Sequence, residues 1–298
     1  MIPHFIFQTA DPACIRHAGS SLERLSQYYP MAGSQREAEA EQQLRLRVLT
    51  KVESGAGKKL VEKLQACRND KPCGSTVCTH CQRERYLEKL AIWLPVMSAS
   101  PGYACVELVF SEDKVTRHPW RDMTQARQQV RRYKQRISRT LRRLGHTDPV
   151  IGTFSLLRHR FDGADESTFW FPRLRLLLPD NRNLLRGLGA HMERCSREAE
   201  GAAWNIPMRK IPARDMARGL RLVLDPQEYI TVCRLDEATG RLKTDRPELL
   251  KGRTRARSLM MMDSAGPGML TFSCGVLPHT VQPVMADDSF ALHFCRTS

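Results

Sequence analysis

Thr124 to Leu144 reads TQARQQVRRYKQRISRTLRRL. Its apolar residues Ala126, Val130, Tyr133, Ile137, Leu141 and Leu144 step by three or four, the spacing of one helical face, and Gly145 supplies a stop. The other positions hold Arg127, Arg131, Arg132, Lys134, Arg136, Arg139, Arg142 and Arg143, with no acidic residue among them. A solvated helix face usually mixes signs and gains (i, i+4) pairs from doing so. This one forgoes them, so it packs one side on a core and offers a band of like charge on the other. A polyphosphate would relieve the self-repulsion by releasing counterions. The alternative is that these arginines meet carboxylates elsewhere in the fold.

The flanking segments set the fold class. Upstream, Tyr103 to Ser111 (YACVELVFS) is β-rich and apolar enough for a buried strand. Downstream, Val150 to Phe161 and Thr168 to Pro179 read as two strands joined by the polar turn Asp162 to Ser167. Asn183 to Glu200 follows as a second helix, and Leu220 to Leu224 and Tyr229 to Leu235 are further strand candidates. The order β-α-β-β-α-β belongs to an α+β fold with an antiparallel, ferredoxin-like (split βαβ) sheet. Four regions follow: a helical N-terminal region over 1–66, a cysteine segment and helix over 67–97, the β-α-β-β-α-β domain over 98–262, and a low-charge tail over 263–298. In the first region, Ser21 to Tyr29, Gln35 to Val52 and Lys58 to Gln65 have helix-forming composition, broken at Gly55 to Gly57.

Charge narrows the partner. Lys and Arg number 47 against 32 Asp and Glu, a net +15, which favours polyanions such as nucleic acid, with an anionic membrane surface second. No apolar run approaches the ~20 residues that cross a bilayer. Met1 to Ala10 lacks the basic-then-apolar layout of a secretory signal. These features point to a bacterial cytoplasm, where cysteines stay reduced and clustered ones read as metal ligands.

Such a cluster exists. In CRNDKPCGSTVCTHC, Cys78 and Cys81 form a CxxC half-site and Cys73 offers a third thiolate just before Gly74. Cys67 or His80 supplies the fourth ligand of a structural zinc site. A redox CxxC would need a strand before it and a thioredoxin-like setting, and neither is evident. A second basic group, Arg253, Arg255 and Arg257 in LKGRTRARSL, reads as a loop or short helix able to track phosphates. The remaining cysteines are scattered singly and read as core.

The succession of cysteine cluster, strand, basic helix, strand pair, second helix and late tyrosine resembles the rolling-circle replication initiators of plasmids and filamentous phages, in the HUH endonuclease superfamily. The likeness spans roughly Cys67 to Leu259 and lies in layout more than in identical residues. It implies a strand carrying His-hydrophobe-His, whose imidazoles hold a divalent cation, and a tyrosine that attacks the scissile phosphate. The matching stretch here is Phe171-Pro172-Arg173-Leu174-Arg175-Leu176, with arginine at both histidine positions. The preceding strand, Gly152 to Arg160, offers no carboxylate. Arginine stays protonated and cannot ligate a cation. Alternate strand residues share a face, so Arg173 and Arg175, with Arg158 nearby, would make an anion clamp in place of a metal site.

Three functions follow. The first is a DNA-binding protein that occupies DNA without cutting it, in replication or transcription control or in recruitment. The second is a nicking initiator using Tyr229, which sits in a strand-like context, with His159 or His191 rebuilding a metal site. The third is an RNA-binding module stacking bases on Phe169, Trp170 and Phe171. Protein contacts, if any, fall to the N-terminal helices or the C-terminal tail.

Overall fold

A computed structural model describes residues 34–68, 70–98, 102–110, 122–161, 168–197, 207–212, 216–224, 229–236, 241–244 and 248–275. Two helices come first, α1 (Gln35–Leu49) and α2 (Gly55–Gln65). Ser34 caps α1 in a full capping box with Glu37, and Ser54 caps α2 by accepting from the Gly57 amide. The glycines at 55 and 57 therefore open α2 rather than interrupt it. The cysteine segment leads into α3 (Thr79–Ser98). Then follow β1 (Tyr103–Val109), the basic helix α4 (Met123–Arg143), β2 (Val150–Phe161), β3 (Thr168–Pro179), α5 (Arg182–Arg197) and β4 (Met208–Ile211). The chain continues through α6 (Met216–Leu224), β5 (Tyr229–Asp236), β6 (Arg241–Thr244), β7 (Glu248–Leu249), α7 (Gly252–Leu270) and β8 (Thr271–Cys274).

The result is a mixed α+β architecture. The strands form one sheet with the path β4-β1-β3-β2-β5-β6, while β7 pairs with β5 and β8 with β2. Pairing is antiparallel along β4-β1-β3-β2, and β5 runs parallel to β2. Alternation along the strands divides the core. Val106, Leu108, Phe154, Leu174, Leu176 and Leu178 meet Val130, Tyr133, Ile137 and Leu141 of α4 and Leu184, Leu188 and Met192 of α5. Cys105, Ile151 and Leu177 face the other way, against Tyr86, Leu87 and Leu90 of α3 and Leu220 and Val223 of α6. A third cluster joins α1, α2, the cysteine segment and α7 to Ala126, Leu156 and Trp170 at one end of the first face.

Two expectations are corrected. Leu220 to Leu224 is not a strand but the end of α6. Over MARGLRLVL the buried Leu220 and Val223 keep a helical step, and a window starting at Leu220 misses the turn before it. The strand closing the β-α-β-β-α-β order is instead Met208–Ile211, whose MRKI holds only two apolar residues. The second concerns the low-charge tail. Its boundary at 262/263 falls inside α7, which runs to Leu270 with a break at Gly266 (φ 73°) before Pro267. Thr271 to Cys274 then pairs with β2. Residues 276–298 and the expected helix Ser21 to Tyr29 lie outside the described residues.

Candidate metal centre and nucleic-acid interface

The cysteine segment folds its four thiols together. Cys67 follows α2, Cys73 precedes Gly74 in the left-handed conformation (φ 67°), and Cys78 and Cys81 flank the first turn of α3. Their sulfurs all lie within 4.8 Å of one another. Sγ–Sγ distances are 3.5 Å for Cys67–Cys78, 3.6 Å for Cys67–Cys81 and 3.7 Å for Cys73–Cys81. A tetrahedral ion with metal–sulfur bonds of about 2.3 Å sets its ligand sulfurs about 3.8 Å apart. The four thiols therefore fit a metal ion without rearrangement. His80 is turned away, its Nε2 at 3.1 Å from Glu39 Oε2, so Cys67 completes the set.

The surroundings favour the thiolate at Cys81 and disfavour it at Cys73 and Cys78. The amides of Gly74, Ser75 and Cys81 hydrogen-bond the sulfurs of Cys81, Cys73 and Cys78. The Cys78 hydrogen bond, with smaller help from the Gly74 amide, holds the Cys81 thiol down at about 4 against the effect of burial. Burial pushes the Cys73 thiol up to about 11. A dication draws the remaining protons off. Around the thiols a polar shell fixes the loop. Gln42 Nε2 reaches Cys78 Sγ at 3.7 Å, and its Oε1 accepts from the Thr79 amide at 3.1 Å. The buried Arg45 donates to the Val77 carbonyl at 2.8 Å. Ser75 Oγ binds Asp263 Oδ1 at 2.6 Å and Thr76 Oγ1 the Met262 carbonyl at 2.7 Å, tying the loop to α7.

The strand face expected to carry an anion clamp has a different content. Arg173 and Arg175 do share a face, but Arg173 is 0% exposed. Its Nη1 lies 3.1 Å from Glu107 Oε2 and its Nε 2.9 Å from Ser155 Oγ. Arg175 Nε lies 3.2 Å from the same Glu107 oxygen, and its Nη1 donates to the Leu222 carbonyl of α6. Arg209 on β4 closes the row, binding Glu107 Oε1 at 2.6 Å. Burial raises the Glu107 carboxyl, but Arg173, Arg175 and Arg209 outweigh it and hold the group at about 2. Arg173 is thus corrected from a surface contact to the centre of a buried ion cluster. The carboxylate missing from β2 comes from β1. Its trace in sequence is the lone Glu107 inside the apolar run YACVELVF. Arg158 is half-buried, with its guanidinium 5.5 Å over the Trp170 ring.

The basic helix divides into anchors and free charges. Lys134 Nζ donates to the Gly268 carbonyl at 2.8 Å and Arg127 to the Ser264 carbonyl, both on α7. Burial lowers the Lys134 ammonium to about 8. Arg136 lies 5.0 Å over the Phe110 ring, and Arg132 5.5 Å from the Tyr133 ring. Arg131, Arg139, Arg142 and Arg143 are exposed and have no acidic partner among the described residues. Helix α5, expected from its periodicity but not for its charge, adds exposed Arg182, Arg186 and Arg194 to the same layer. Gly187 lets α5 close on the end of α4, since a Cβ there would meet Leu144 Cδ2 at 2.5 Å. The second basic group opens α7: Arg253 and Arg257 are exposed, while Arg255 pairs with Glu41.

The remaining candidates are scattered. Tyr229 starts β5, its backbone paired with Leu157 and Leu249; its side chain, like that of His159, lies outside the description. His191 meets Cys195 on its own helix at 3.8 Å. Trp170 and Phe171 are buried core, and Phe169 is half-buried, so the described aromatics form no exposed stacking platform. No helix among the described residues is long and apolar enough to cross a membrane. Comparison with family models, with curated proteins and with solved structures finds no match to this chain.

Proposed function

We propose that this chain is a DNA-binding protein that occupies DNA without cutting it, a silent relative of the HUH-type replication initiators. Exposed Arg131, Arg139, Arg142 and Arg143, without acidic partners among the described residues, carry the reading. Four like charges exposed on one helix are best relieved by a polyanion. The core supports kinship with the split βαβ class: its first four strands lie in the order β4-β1-β3-β2, all antiparallel, each βα crossover spanning one inserted strand. Both oxygens of Glu107 already accept from guanidiniums, which occupy the place a metal ion would take. The cysteine centre holds structural zinc: four thiolates leave no position for a reacting water. Thiols at these distances call for a reducing compartment, most simply a bacterial cytoplasm.

The test is binding to labelled DNA across a salt series, followed by incubation with Mg²⁺ or Mn²⁺. Affinity falling by orders of magnitude with salt, and intact DNA afterwards, are the expected results. Affinity flat across the salt series sinks the electrostatic basis. A covalent protein–DNA adduct lost in Tyr229→Phe restores the alternative, a nicking initiator.

A further inference from the structure

We infer that the partner of the α4–α5 layer is the phosphate backbone of double-stranded DNA, docked on the side of the sheet away from Glu107. This rests on the DNA-binding function proposed above and names the form of the nucleic acid and the face that takes it. The face follows from packing. Helices α4 and α5 cover the side of the sheet bearing Phe154 and Leu174, whereas Glu107, Arg173 and Arg175 lie on the opposite side, which α6 covers. A partner held by α4 and α5 therefore never approaches the strand positions where an initiator keeps its metal.

The form follows from what the layer contains and lacks. Buried Val130, Tyr133, Ile137 and Leu141 fix the roll of α4 on the sheet. At about 100° per residue, Arg131, Arg139, Arg142 and Arg143 then fall on its outer side. The three outward arginines of α5 extend the array sideways. From Arg131 to Arg143 the charges span about 18 Å of helix axis, at ~1.5 Å per residue, or about five base-pair steps of 3.4 Å. Both helices are braced by the sheet, so the guanidiniums form a fixed array suited to a regular polyanion.

Single strands are held differently, in grooves where bases stack on aromatic rings. Phe110, Tyr133, Phe154, Trp170 and Phe171 are buried, and Phe169 is half-buried. The one aromatic of α4, Tyr133, is 0% exposed and stacked on Phe110 at 4.0 Å between ring centroids. Helix α5 contains no Phe, Tyr or Trp. Among the described residues, α4 and α5 offer phosphates their guanidiniums and offer a base no exposed ring.

The test uses the full chain and fluorescence anisotropy with a 20-base-pair DNA duplex, each of its single strands, and duplex RNA of the same sequence. Duplex DNA should bind at least tenfold more tightly than either single strand or the RNA. Its log K against log salt should fall with a slope of about −4 to −6, at ~0.9 per phosphate contact. Arg139→Ala with Arg142→Ala should make that slope shallower by about 2 while leaving the circular dichroism unchanged. If single strands or duplex RNA bind as tightly and the double variant weakens them too, the assignment to double-stranded DNA is overturned and nucleic-acid binding stands. If the double variant leaves duplex binding and its slope unchanged, the α4–α5 face is overturned. If no nucleic acid binds, the DNA-binding function itself fails.

Discussion

Glu107 on β1 and Arg175 on β3 are register partners, and one oxygen of that carboxylate holds both Arg175 Nε at 3.2 Å and Arg173 Nη1 at 3.1 Å. Arg209 takes the other oxygen. Three guanidiniums thus converge on one acid inside the sheet, and the two kinds of partner are not equivalent.

Removing Glu107 takes from the buried Arg173 the carboxylate it pairs with inside the sheet, whereas removing Arg173 leaves Glu107 with Arg175 and Arg209. Glu107→Gln should cost about 3–5 kcal/mol of stability, the range for breaking a buried pair. Arg173→Met should cost distinctly less. Urea unfolding of the two variants decides the matter, and Arg173→Met proving the more damaging change would contradict the arrangement.

The same group shapes the acid limb of stability. Its folded carboxyl is held at about 2, below its ordinary value of 4.5. A depressed carboxyl contributes fully above the unfolded value, and the contribution is lost as pH falls from about 4.5 through 2. Its size is about 3 kcal/mol at neutral pH, at ~1.4 kcal/mol per pH unit. Thermal melts of wild type should therefore fall steeply between pH 4.5 and 2. Glu107→Gln should start lower and fall less across that window.

At the cysteine centre, Cys67 and His80 compete for the fourth ligand place in sequence, but only Cys67 faces the other thiols. Cobalt substitution reports the ligand set through visible bands of a tetrahedral thiolate site. His80→Ala should keep one metal per chain and the wild-type spectrum. Cys67→Ser should change the spectrum and weaken metal retention against a chelator. A spectral change in His80→Ala with none in Cys67→Ser would reverse the assignment.

Two glycines offer a contrast in packing. A Cβ at Gly152 would sit 2.4 Å from the Arg175 carbonyl oxygen, in the middle of the sheet. At Gly187 the obstacle is the tip of Leu144, a side chain 40% exposed and free to swing aside. Gly152→Ala should destabilise by roughly 2–4 kcal/mol and Gly187→Ala by less than about 1, as read by thermal or urea unfolding.

Sequence periodicity located the elements whose apolar residues repeat cleanly. Helix α4 and strands β1 to β3 lie within a residue or two of their expected bounds because one buried stripe sets each of them. Strand β4 escaped notice because MRKI is an edge with two charged residues, held by its pairing to β1 rather than by its own pattern. The cysteine cluster was legible because a metal-binding arrangement demands residue type at short spacing. Glu107 was not, because its partners lie 66, 68 and 102 residues away, and no local signal marks a carboxylate whose cations arrive by strand pairing. The α5 arginines carry no signal of their own for a different reason: only three described arginines face outward on that helix, and they join the α4 charges in one array only where the two helices pack side by side.

Asp263 has a bearing on how the molecule is made. The acid that anchors the cysteine loop through Ser75 lies 188 residues further along the chain, and its salt bridge to Lys63 spans 200. At synthesis rates of roughly 5–20 residues per second, the loop leaves the ribosome roughly 10–40 s before α7 exists to receive it. During that interval the four thiols must persist without their docking surface, exposed to oxidants and to competing metals. A nascent chain stalled before α7 should accordingly carry these cysteines in a far more alkylatable form than the finished protein does.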